Sequence, residues 1–301
     1  MPTKTKSVSS PGGRPQTALE LAPEGALAAT IPAPGESPVY AFAALTPGAL
    51  VPGVAEANIR SQEPVVDAIR KALEEIAPKS RAVTLIVPDT AVRVFVLDFD
   101  SLPSKAAEAV PVLRFRLRKM VPFDVEPAAM SYQILVQNET TVKVLATVMP
   151  GPILAEYEAV VRSAGYEPGA VLPSSLASLA SLDSLEPILA ANLSSQALTT
   201  SITSGQDLHL FRTVDLPEDP AARVAEVQRS IAVAAAYYED KLVARPRQLH
   251  YAGIEKAEQF ARLVGDPDLA VVDMVPPTGL GATTPLGPLS LAGIAGALAG
   301  A

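Results

Sequence analysis

Residues 64–99 read PVVDAIRKALEEIAPKSRAVTLIVPDTAVRVFVLDF, and this stretch decides the fold class. Val66, Ile69, Leu73 and Ile76 recur at steps of three and four, the spacing of one helix face. Pro64 suits the first turn of that helix, where its missing N–H leaves no bond unmade. Ala82 to Val87 is a short, unbroken apolar run, the pattern of a strand covered on both faces. Val92 to Phe99 alternates, as a strand with one wet face does. A helix delivering the chain into a doubly covered strand is an α/β unit.

The same alternation extends in both directions. Upstream, residues 17–30 read as two short strands around the turn Ala22-Pro23-Glu24-Gly25, and Val39 to Leu45 as a third. Residues 1–16 are rich in Ser, Pro, Gly and basic side chains, a composition expected to be disordered. No apolar stretch follows the basic residues, so they do not form a signal peptide. Downstream, Ser104 is expected to cap a helix carrying Ala106, Val110, Leu113, Leu117 and Met120, with Pro111 kinking or splitting it. Ser131 to Gln137 and Thr141 to Met149 form a hairpin. Pro152 opens a helix that Gly165 stops, and residues 170–185 read as a further helix. Three strands follow at Ile188 to Leu193, Ala197 to Thr203 and Leu208 to Val214, with Gly205 turning between the last two. A long helix from Asp219 to Leu242, a strand from Gln248, a helix ending at Val264 and a strand from Ala270 complete the alternation. Leu286 to Ala301 is apolar but broken by Pro288 and too short for a membrane span. It reads as a buried helix, with Gly293, Gly296 and Gly300 suited to close packing. Three strands before a long helix occur once in each half, which points to a duplicated, two-lobed molecule.

The chain has 301 residues, 49% hydrophobic and 19% charged, with no cysteine, no tryptophan and two histidines. Without cysteine there is no disulfide framework, thiolate ligand or cysteine nucleophile. A formal net charge of −8 argues against a nucleic-acid partner. No GxxxxGK[ST] and no GxGxxG occurs; Gly12-Gly13 and Gly279/Gly281 lack the strand-before, helix-after setting of a phosphate loop.

Asp98 and Asp100 flank Phe99 and would point to one side of a strand end, a pairing that can hold Mg²⁺ or move protons. The ordinary reading is a solvated strand end. His209 and His250 stand alone, as structural histidines do. Ser174-Ser175, Ser178, Ser181 and Ser184 form a serine stripe with no GxSxG elbow, so caps and loop serines are the default. Arg114, Arg116, Arg118 and Lys119 cluster beside the apolar tip Val121-Pro122-Phe123. Arginine mixed with apolar side chains is common in interaction surfaces; a solvated helix face is the plainer alternative.

Several of these segments, in order, resemble the PilM family of type IV pilus assembly proteins. Leu102-Pro103, the helix after it, Val121-Pro122-Phe123 and Tyr132-Gln133-Ile134-Leu135 are similar to that family's "LP", amphipathic helix, "(I/V)PF" tip and "Y/W-Q-(I/V)-L" strand. Pro47-Gly48-Ala49-Leu50-Val51 resembles its "PPGAIVDG" loop. Val224 to Tyr238 resembles its "EIQRSLDYY" helix, and His250-Tyr251-Ala252-Gly253 its "LSGG" turn. The resemblance spans roughly residues 17–300 and implies an actin-like ATPase fold of the FtsA type. It places a first lobe at 17–186 with an inserted subdomain at about 90–150, and a second lobe at 187–301.

The resemblance also implies a nucleotide cleft, and there the sequence departs from the pattern. The first phosphate loop, usually "GIDIGSSSVK", is matched by Leu19-Glu20-Leu21-Ala22-Pro23-Glu24-Gly25. Glu20 keeps the acidic position, Pro23 removes an N–H that should face phosphate, and Glu24 adds negative charge there. In the second loop, Asn192 replaces the expected Asp before Leu193, Ser194, Ser195 and Gln196, and only Gly253 remains of the adenine turn. Glu20, Asn192, Ser194, Ser195 and Gly253 are thus the expected residues of a degenerate cleft with no bound cofactor. ATP with Mg²⁺ stays open as the alternative, because backbone and Ser hydroxyls remain. By resemblance the chain is a cytoplasmic scaffold of pilus biogenesis and twitching motility, peripheral to the inner membrane through its partners. It would bind the cytoplasmic tail of a PilN-like bitopic protein, with the pilus motor ATPase and a second copy of itself as further partners. The expected partner-binding residues are Val94, Val96, Leu113, Arg114, Leu117, Arg118, Met120, Val121 and Phe123. Two other readings are an active actin-like ATPase or sugar-kinase relative, and a GspL-like cytoplasmic domain of type II secretion. The latter is disfavoured by the lack of a membrane helix before Ala301.

Overall fold

A computed structural model describes residues 14–33, 35–182, 184–205, 207–275 and 287–299. Gly12-Gly13, Gly279, Gly281 and Gly300 lie outside the described residues, as does most of the 1–16 segment.

The first lobe is built on β1 (Thr17–Ala22), β2 (Gly25–Thr30), β3 (Val39–Ala44), β4 (Ala82–Val87) and β8 (Glu167–Pro173). Their order in the sheet is β3-β2-β1-β4-β8. The first three strands meander antiparallel, while β4 and β8 join in parallel. Helices α1 (Gln62–Ile76) and α3 (Gly151–Ser163) cover one face. Val65, Ile69, Ala72 and Leu73 of α1 meet Leu19, Leu21, Leu85 and Val87 from the strands there. The other face is covered by α4 (Ser174–Leu179) and α7 (Ala292–Ala299), through Ala177, Leu291, Ile294, Ala297 and Leu298. Double coverage is why β4 is apolar apart from Thr84, and all of it but Ala82 is buried.

The second lobe repeats this plan. Its strands are β9 (Pro187–Leu193), β10 (Ala197–Ser204), β11 (Asp207–Asp215), β12 (Gln248–Gly253) and β13 (Ala270–Asp273), in the order β11-β10-β9-β12-β13. Strand for strand this is the order of the first sheet, so the duplication read from the sequence is present in the fold. Helices α5 (Pro220–Leu242) and α6 (Ala257–Val264) close one face, setting Ile231 and Phe260 against Leu189 and Leu198 of the strands. Asp219 caps α5 by accepting from Ala222 N at 2.8 Å. On the inner face Ala292 of α7 reaches Ile188, Ala190 and Ala252. The C-terminal apolar helix therefore lies between the two sheets, buried as its composition predicts. Gly296 is required there: a Cβ would run into Ala177 O of α4.

The inserted subdomain comprises β5 (Arg93–Phe99), α2 (Ala106–Leu117), β6 (Ala129–Gln137) and β7 (Val142–Met149), with sheet order β5-β7-β6. Leu113 and Leu117 of α2 pack on Leu97, Val142, Val144 and Ala146 to make a small separate core. The chain enters at Arg93, which pairs with Val148 near the exit.

Three local expectations are corrected. Of residues 170–185, expected to be helical, 170–173 belong to the edge strand β8 and the helix spans only Ser174–Leu179. Ser104 does not cap α2; Lys105 occupies that position without a side-chain bond. Pro111 neither ends nor splits α2, which continues to Leu117.

Candidate functional site

The two lobes face each other across a cleft lined by Glu20, Pro23 and Glu24 of the β1–β2 hairpin and Pro88-Asp89 after β4. Ser174, Asn192 to Gln196, Gly253, Ser290 and Gly293 complete the lining. All five sequence-predicted cleft residues are thus brought together. The cavity between them measures about 50 Å³. That is room for water, an order of magnitude below what a nucleotide fills.

Glu20 is 7% exposed. Ser174 Oγ donates to its Oε1 at 2.6 Å, while Oε2 has no partner. Gly293 of α7 sits against this carboxyl, and a Cβ there would come within 2.7 Å of Oε2. Burial pushes the Glu20 carboxyl up to about 7; the Ser174 bond opposes this, and the nearby Asp89 and Glu24 charges add to it. Asp89 accepts from Ser175 N at 3.1 Å, from Ser175 Oγ, and from Thr199 Oγ1 of the opposite lobe at 3.3 Å. Burial raises its carboxyl above the usual range despite these bonds.

The second loop satisfies itself. Ser194 Oγ accepts from Gln196 N at 3.3 Å and Ala197 N at 2.9 Å, so two amides that would face a phosphate are already engaged. Arg223 of α5 reaches in to the carbonyls of Ser195 at 2.9 Å and Ser194 at 3.2 Å. Asn192 donates to Ser178 Oγ of α4 at 3.5 Å. Gly253 approaches Leu193 O so closely that a Cβ would stand 2.8 Å from it. The hairpin has no amide to offer at Pro23 and the second loop is bonded to itself, so few backbone donors face a phosphate in this geometry.

Asp89 is the residue that sequence reasoning missed. Ser174 and Ser175, read there as cap or loop serines, prove to be the partners of the two cleft carboxyls. One signal was present: Asp89 stands just past the C-terminal end of a buried parallel strand, where α/β folds place ligand groups. Asp98 and Asp100 are exposed and far from the cleft lining, and no cluster of three or more metal-binding side chains occurs among the described residues. His209 and His250 are half-buried in β11 and β12, and burial lowers the His250 value.

The expected partner-binding residues divide by exposure. Leu113 and Leu117 are fully buried in the subdomain's own core, so they are closed to a partner. Their apolar spacing marked the inward face of α2, not a docking face. Val94, Val96, Val121 and Phe123 are half-buried, and Met120 and Arg118 are exposed. Arg114 folds inward, donating to Ala128 O at 3.1 Å, and Arg118 pairs with Glu126 at 2.6 Å.

No family model matches the chain, and no curated protein matches it in sequence. Solved structures do. The chain is similar to a protein of the PilM-PilN type IV pilus biogenesis complex, with 18% identity, a TM-score of 0.66, and coverage of 94% of this chain and 96% of that one. It is also similar to the cytoplasmic domain of EpsL, an inner membrane component of the type II secretion system of Vibrio cholerae. That match has 12% identity, a TM-score of 0.51 and coverage of 90% of each chain. With its paired five-stranded sheets and inserted subdomain, the chain has the actin-like ATPase fold.

Proposed function

We propose that the chain is a PilM-like scaffold of a type IV pilus assembly platform, holding the cytoplasmic tail of a PilN-like bitopic membrane protein. The observation that carries this reading is the end-to-end likeness to a chain of the PilM-PilN complex, inserted subdomain included. The state of the cleft supports it. Glu20, Asp89, Asn192 and Ser194 each bond to a neighbouring protein group, which fits a chain that acts by binding. The tail lies between the first lobe and the subdomain. Val94 and Val96 of β5, Val121, Phe123 and Met120 supply apolar contact, with Arg118 as a polar anchor, while Arg114 braces the tip through Ala128 O. The bitopic partner tethers the scaffold at the cytoplasmic side of the inner membrane. Retention of a synthetic PilN-like tail by the immobilised full chain tests the reading. Saturable retention is expected, equal with and without ATP and Mg²⁺; no retention by folded protein overturns it.

A second reading, the cytoplasmic domain of a type II secretion platform protein, is favoured by the likeness to EpsL. Retention of a secretion-platform partner in place of the PilN-like tail would select it.

A further inference from the structure

Among the described residues seven large apolar side chains are exposed, and two of them, Val112 and Phe115, lie on α2. Phe115 is 70% exposed, a considerable cost for an aromatic ring in water. Val112, Phe115, Arg116 and Lys119 follow the spacing i, i+3, i+4, i+7, so they share one face of α2 and its last turn. That face is turned away from Leu113 and Leu117, which hold the helix to its own sheet.

The charge of this face opposes that of the molecule. Residues 105–119 carry five cations against one carboxylate, on a chain whose formal net charge is −8. Lys105 reaches Glu108 and Arg118 pairs with Glu126. Arg116 and Lys119 form no ion pair among the described residues. Two free cations therefore flank a projecting ring. The core contacts of α2 run through Leu113 and Leu117, and Phe115 stands outside that core, so the ring projects into solvent. A peptide anchor needs a walled groove. A fluid anionic surface needs only an apolar wedge with cations at the height of its headgroups.

We propose that this outer face of α2 docks on an anionic lipid bilayer, with Phe115 entering the interface and Arg116 and Lys119 on the headgroup phosphates. The contact uses a different face from the tail groove and does not depend on the tail-binding reading.

Flotation of the full chain with vesicles tests it. Binding is expected to phosphatidylglycerol-rich vesicles and not to phosphatidylcholine vesicles, weakened by about 0.5 M salt through screening. Phe115→Ser and the double variant Arg116→Glu/Lys119→Glu should each cut vesicle binding about tenfold or more. Both should leave the melting temperature and tail-peptide retention unchanged, because these side chains are exposed and lie outside the proposed groove. No flotation, equal flotation with neutral lipid, or wild-type binding by the variants overturns the proposal. Two other occupants would show themselves and overturn it equally. Phe115→Ser converting a sedimenting dimer to monomer would mean a second copy. Loss of tail retention in that variant, without vesicle binding by wild type, would mean an acidic protein segment. Flotation with failed tail retention would overturn only the scaffold reading.

Discussion

Glu20 holds its proton close to neutrality because burial outweighs the Ser174 bond, and this ties stability to pH. Burial holds the carboxyl at about 7 in the folded chain, against an ordinary value of 4.5 for an exposed carboxyl. The folded state therefore favours the protonated carboxyl. That contribution is complete below about pH 4.5, declines as pH rises to about 7, and is absent above. The span corresponds to at most about 3 kcal/mol. Glu20→Gln keeps an acceptor for Ser174 and removes the charge. It should flatten the fall in unfolding free energy between about pH 4.5 and pH 7, measured by urea titration. An unchanged slope would show that another group carries the proton. Of the cleft, Glu20, Asn192 and Ser194 were legible only through the resemblance of their segments to the PilM family's phosphate loops. Asp89 was not, since Ser175 and Thr199 stand 86 and 110 residues away in the chain. Nothing local marks such a pairing.

Individual elements carry costs of their own. Val243 ends α5 in the left-handed region at φ 52°, where a β-branched side chain is strained, and it is 91% exposed. Val243→Gly should stabilise the chain by roughly 1 kcal/mol, visible as a rise in melting temperature. At the α4–α7 contact the opposite holds. Gly296→Ala drives a methyl group into Ala177 O, so a loss of about 2 kcal/mol or more is expected. Strands buried on both faces, such as β4, and helices with a clean face, such as α1, were legible from hydrophobic spacing. β8 was not, because Pro168, Gly169 and Pro173 break its pattern. They are tolerated because β8 pairs only with β4 and lies at the sheet's edge.

At the scale of the molecule, the two lobes are held together by α7 and by cleft groups that bond to each other. Asp89 to Thr199 and Asn192 to Ser178 occupy the place where a ligand would bridge the lobes. ATP with Mg²⁺ is therefore expected to leave the scattering profile unchanged and to give no micromolar heat in calorimetry. Thr199→Val should cost roughly 1 kcal/mol and speed amide exchange along β10 near the cleft. Lobe duplication was legible because each half repeats three strands and a helix. The seat of α7 was not, since an apolar helix does not state which sheet it covers. The subdomain has one more consequence. Arg93 and Val148 are cross-strand neighbours, so its two connections to the first lobe lie about one strand spacing apart, roughly 5 Å. Such a module is a cassette. Excising it and closing the gap with a short Gly-Ser linker should leave β4 and α3 in place, and should remove the contact that β5 and β6 make with β11 of the second lobe.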